Sequence, residues 1–223
     1  MRASRSLIIL LLLVSLTLAT GLAAQQIVYS NGNLNGTVDA WTINFGYVVS
    51  DTFHITSAAT VEGFDIYVWE FPGDKTLTVD WSITSEEFGG TTYGSGTASV
   101  ADQFISANQY GYNIDKLSLS GPRVNLSPGS YWLNLANATT WQGNPLYWDE
   151  NSGPSQASES ALGTIPSESF DVTGQSCIGC GCFRDQGPDC GPPNTPEPGS
   201  FNLLASGIAG LIGLAGGLRR RLF

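Results

Sequence analysis

The sequence predicts an all-β protein, an antiparallel β-sandwich of jelly-roll type, on two observations. Across residues 25–174 apolar side chains recur at every second position, the period of a strand with one wet face, and show little of the three-to-four spacing of a helix. Turn signals such as Phe71-Pro72-Gly73-Asp74, Ser127-Pro128-Gly129-Ser130 and Asn151-Ser152-Gly153-Pro154 cut these runs into short pieces. A domain of about 150 residues buries roughly 70% of its unfolded surface and folds unaided. No internal repeat is visible, which excludes propellers and solenoids.

Eight or nine strands are expected, with runs at 38–43, 45–55, 61–69, 75–84, 97–100, 110–119, 130–136, 146–148 and 170–172. In the second run Phe45, Tyr47, Val49, Phe53 and Ile55 share one face. Leu77, Val79, Trp81 and Ile83 do so in the fourth, with Thr76, Thr78, Asp80, Ser82 and Thr84 opposite. Phe64, Ile66 and Val68 form the core face of the third run, which turns Tyr67 and Trp69 outward beside Asp65. By the same alternation Trp132 and Asn134 point away from Tyr131, Leu133 and Leu135.

Both flanks of this body have targeting character. Arg2 and Arg5, an apolar run over 7–18 and the small-residue stretch Gly21-Leu22-Ala23-Ala24 make residues 1–24 a secretory signal peptide; the run is shorter than the ~20 residues an uncleaved membrane helix needs. At the other flank Pro196-Glu197-Pro198 precedes an apolar stretch over 201–218 and the cluster Arg219-Arg220-Arg221. As a helix that stretch rises about 27 Å, enough to cross a hydrocarbon core. The prolines hold the triplet extended outside the helix, and the arginines favour the cytoplasmic side.

This order of parts resembles the PEP-CTERM sorting signal of Gram-negative exported proteins, with Thr195 where many members carry an aliphatic residue. The resemblance implies recognition at Pro196, Glu197 and Pro198 by an exosortase, a membrane-embedded transpeptidase-like enzyme, with Arg219, Arg220 and Arg221 as the stop-transfer cluster. It also implies transient anchoring in the inner membrane, then a place at the cell surface or outside the cell, with exopolysaccharide or biofilm matrix as companion. The same C-terminal segment is catalogued under ice-binding proteins, but Thr76-Leu77-Thr78 stands alone where an ice-binding face needs threonines at a fixed period. Within the body, 62–74, 126–139, 145–155 and 163–174 look like stretches of other exported PEP-CTERM proteins, a likeness that brings no activity with it.

Charge narrows the function classes. Residues 25–193 keep 4 of the 9 basic side chains and 18 of the 19 acidic ones, a formal charge of −14. Such a surface repels nucleic acid and anionic lipid, and suits solubility outside the cell better than it signals a built calcium site. Catalysis finds little support. The one histidine, His54, falls on the wetter face of its strand without a partner, and the pairs Glu86-Glu87 and Asp149-Glu150 read as solvated loop acids. Adjacent strand residues point to opposite faces, so neither pair alone spans a glycosidase cleft. The expectation is a non-catalytic body without cofactor or resident metal; a glycan-processing enzyme is the more distant alternative.

Glycan binding is the nearer one. Six tryptophans and eight tyrosines are many for this length, and Tyr67, Trp69 and Trp132 are the outward-turned candidates for stacking on sugar rings. Between body and tail, residues 175–193 form a Gly/Pro-rich spacer with Cys177, Cys180, Cys182 and Cys190. Their spacing lacks the paired geometry of a zinc ribbon, and exported thiols oxidise, so two disulfides are expected in one of three connectivities.

Overall fold

The computed structural model describes residues 26–176, and all of its regular elements are strands. In chain order they are β1 (Gln26–Ser30), β2 (Ala40–Thr42), β3 (Val48–Ile55), β4 (Ala59–Glu70), β5 (Thr76–Glu86) and β6 (Gly89–Ala107), followed by β7 (Asn113–Leu126), β8 (Gly129–Thr140), β9 (Tyr147–Asp149), β10 (Ala157–Glu159), β11 (Gly163–Ile165) and β12 (Phe170–Ser176). The signal peptide, the cysteine spacer and the sorting tail lie outside the described residues.

The strands join in one antiparallel sheet in the order β1-β12-β4-β7-β6-β5-β8-β3-β10-β11, with β9 added to β4 and β2 to β9. β6 makes the sheet curl. Its first part pairs with β5 up to Thr78↔Ser99, and its second part pairs with β7 from Val100↔Leu119 onward, so one long strand serves both halves. The halves turn their apolar faces toward each other as a half-barrel. Val61, Phe64, Ile66, Leu117, Leu119 and Phe170 come from one side, and Val49, Phe53, Val79, Ile83, Leu133 and Leu135 from the other, all at most 1% exposed. Phe64 meets Trp81 at 5.8 Å between ring centroids, and Tyr29 touches both Phe53 and Phe170.

Period-two alternation therefore holds in the strand centres and breaks at their ends. Phe45 and Tyr47 do not join the core face expected of them: they precede β3, are 64% and 43% exposed, and Phe45 has a positive φ that ends the extended phase. Leu77 is exposed as well, because the pairing of β5 with β8 slips between Thr76 and Thr78 and puts Thr76 inside instead. The run expected at 97–100 is only the middle of a 19-residue strand. Its opening Gly89-Gly90-Thr91-Thr92-Tyr93-Gly94-Ser95-Gly96 carries almost no apolar signal, yet Gly94 is needed there, since a Cβ would strike the Val124 side chain. Gly174 has a similar cause. It sits where β12 slips against β4, and a Cβ would run into the Thr60 carbonyl oxygen.

The topology also sets a direction. Gln26 pairs with Gly174, and Ser176 pairs with Ala59, so β1 begins and β12 ends at the same end of the sheet. Glu70, the last residue of β4, lies at the opposite end, about 35 Å away at 3.2–3.4 Å per strand residue.

Candidate functional site

The three outward-turned aromatics do not form one surface. Tyr67 and Trp69 stand on β4 and Trp132 on β8, with β7, β6 and β5 between them in the sheet. Alternation tells which side of a strand a residue occupies; it does not tell what covers that side. Trp69 does point away from Val68, but it is only 6% exposed. Tyr110 stacks on it at 5.6 Å, Tyr112 packs beside it, and its indole N–H donates to Asp149 Oδ1 at 2.6 Å. It is a structural anchor. Tyr67 is half-buried opposite Lys116, whose ammonium pairs with Asp65 at 2.8 Å. Trp132, half-buried like Tyr67, lines an open groove of about 380 Å³ with Glu86, Glu87, Gln156, Ser158 and Thr164.

Glu86 and Glu87 are exposed, as expected, and Glu87 accepts the Ser158 hydroxyl at 2.6 Å. His54 is exposed too, its Nδ1 3.2 Å from the Ser130 hydroxyl. The other pair departs from expectation. Asp149 is fully buried and accepts the backbone N–H groups of Asn35 and Gly36, each at 2.7 Å, besides the Trp69 indole; Glu150 is 9% exposed and accepts the Trp41 indole at 3.1 Å. Asp149 fastens Asn35 and Gly36, and Glu150 fastens Trp41 of β2; burial raises the Asp149 pKa, and its hydrogen-bond donors pull it back.

Two clusters that the sequence reading did not contain hold the strongest chemistry. The first is at the end of the sheet away from β1 and β12. Phe64, Ile66 and Val68 occupy the core phase of β4, and the next residue in that phase is Glu70. Leu119 and Leu117 occupy the core phase of β7, and the next is Asp115. Asp102, on β6, pairs with Leu117 and so joins the same face. One carboxylate oxygen from each of Glu70, Asp102 and Asp115 lies within 4.8 Å of the others. Glu70 and Asp115 are 1% and 2% exposed, and Asp102 is half-buried. Thr76 donates to Glu70 Oε1 at 2.8 Å, whereas Asp115 Oδ2 is buried with no hydrogen-bond partner. The three acids line a cavity of about 110 Å³ with Lys75, Asn113 and Phe104. Desolvation drives Glu70 up to about 8, with Asp102 and Asp115 pushing the same way; desolvation drives Asp115 up to about 6, with Asp102 pushing the same way and a hydrogen bond with Glu70 pulling back.

The second cluster lies under the 31–36 and 151–156 segments. Asp51 is fully buried between Val49 and Phe53 and accepts the Asn31 amide at 3.1 Å and the Glu168 N–H at 2.7 Å on Oδ2. Burial lifts it to about 7 despite these donors. Glu168 is fully buried and neither of its carboxylate oxygens has a partner; burial first, then Asp51, Glu150, Asp149 and Asp39, raises its pKa far above the usual carboxylate range.

One signal for both clusters was present in the sequence: Asp51, Glu70 and Asp115 are acids in the apolar phase of alternating strands. No family model matches the chain, and no curated protein matches it. Fold and geometry define a class, an antiparallel all-β body with a carboxylate-lined cavity at one end and a single-tryptophan groove on its surface.

Proposed function

We propose that this chain is an exported, exosortase-sorted protein of the cell surface or extracellular matrix, with a non-catalytic two-layer β-sandwich of jelly-roll type, associated with exopolysaccharide. The observation that carries it is the order of parts: Arg2 and Arg5 before an apolar run, the β body, then Pro196-Glu197-Pro198, an apolar stretch and Arg219-Arg220-Arg221. The body's boundaries support it. The start of β1 pairs beside the end of β12, so the two flanking segments leave the body at one end of the sheet. Deleting the exosortase from the producing bacterium should hold the protein in the inner-membrane fraction; unchanged release would contradict the sorting reading.

A carbohydrate-binding module is the second reading, and the groove at Trp132 favours it. An indole face beside carboxylates, an amide and hydroxyls is the composition that stacks on a sugar ring and hydrogen-bonds its rim. Trp132→Ala should abolish binding on a glycan array, or weaken it at least about tenfold, the loss of one stacking platform worth ~1–2 kcal/mol. Equal binding by the wild type and this variant would remove the groove from the account, and turnover of a glycan would promote the glycan-processing alternative.

A further inference from the structure

The cavity at the far end of β4 has the form of a cation site. Its three acids face inward from three neighbouring strands, β4, β7 and β6, whose pairing fixes them independently of any loop. If all three are ionised, Lys75 opposes one of their charges and two remain, the charge of a divalent ion. The neighbouring Asp74 is already occupied, accepting from the Lys75 and Gln142 N–H groups and the Asn144 amide. Asp115 Oδ2 is the telling atom. A buried carboxylate oxygen without a donor costs stability, and the Glu70 and Asp102 carboxylates that face it offer none once they are ionised.

One oxygen from each of the three acids lies within 4.8 Å of the others, inside the span of two opposite oxygens on calcium, about 4.6–5.2 Å at 2.3–2.6 Å bonds. Calcium accepts an irregular shell of such donors, whereas magnesium demands a near-ideal octahedron and gives up its water reluctantly. Three carboxylates offer up to six oxygens, and half-buried Asp102 leaves a side open for water to complete the shell of six to eight. We infer that Glu70, Asp102 and Asp115 form a calcium site at the end of the sheet opposite the start of β1 and the end of β12.

The test is isothermal titration of calcium chloride into the EDTA-treated exported protein at pH 7.5, with thermal unfolding in parallel. Expected is binding at one site with an affinity in the range of extracellular calcium modules, roughly 10⁻⁴–10⁻³ M or tighter, and a Tm that rises with calcium. Magnesium should bind at least about tenfold more weakly. Asp115→Asn should weaken calcium binding by about tenfold or more; Asp102→Asn, at a half-exposed position that tolerates change, should do the same if the first variant folds poorly. Asp80→Asn, on β5 outside the cavity, should leave it unchanged. Absence of binding at about 10 mM calcium, magnesium binding as tightly as calcium, or wild-type affinity in both Asp102→Asn and Asp115→Asn would overturn the assignment.

Discussion

Between pH 5 and pH 8 the protein is expected to lose stability, the reverse of what salt-bridged carboxylates produce. Asp51 titrates at about 7 in the folded chain against an ordinary value of 3.8, and Glu168 is raised in the same direction. A carboxyl whose folded pKa is raised keeps its proton in the native state while the unfolded chain has released it. Unfolding then releases protons, so the stabilisation is complete below pH 3.8 and is lost as pH climbs through 7. For Asp51 alone that window carries on the order of 4 kcal/mol. The groups facing the pair, Tyr29, Asp39, Asp149 and Glu150, are all acids, so no cation offsets the charge that appears. Urea unfolding with EDTA present should show a lower midpoint at pH 8 than at pH 5. Glu168→Gln should flatten this dependence and exceed the wild type at pH 8. A midpoint that is constant or rises over the range would show that Asp51 and Glu168 are not held as buried acids.

Trp69→Ala should be the most damaging of the tryptophan substitutions on the outer faces. It removes a side chain 6% exposed, the ring stacked on Tyr110, and the indole donor of a fully buried Asp149. Truncation of a buried aromatic costs about 3–5 kcal/mol, and stranding the carboxylate adds to it. In a body of this size that corresponds to a Tm lower by roughly 10 °C or more. Trp132→Ala should differ in kind. Half-buried and flanked across the strands by Thr52 and Thr84, it contributes about 1 kcal/mol of cross-strand packing. Stability should suffer in one variant and glycan binding in the other. Unchanged melting of Trp69→Ala together with lost glycan binding would restore Trp69 as a ligand residue.

The antiparallel all-β character was legible because strand centres bury one face and wet the other, as Phe64-Ile66-Val68 and Val79-Trp81-Ile83 do. β10 and β11 were not, being three residues each with little apolar content, and neither was the Gly-rich opening of β6, where Gly94 makes room for Val124. Alternation gives the outward direction of Trp69 but not its cover, which comes from Tyr110 and Tyr112, about forty residues along the chain. Adjacent carboxylate pairs are visible in a sequence, whereas sheet pairing assembles Glu70, Asp102 and Asp115 from three separate strands. A charged residue in an apolar phase is the local trace of such a site, and only the register of the strands shows which acids meet.

The central claim, that the chain is exported and then cut at its sorting signal, is tested most directly by the intact mass of the protein recovered outside its native host. The account predicts a polypeptide that starts at Gln25 and lacks Arg219, Arg220 and Arg221. A released protein that still carries residues 219–223 would contradict it and leave a chain that no exosortase has processed.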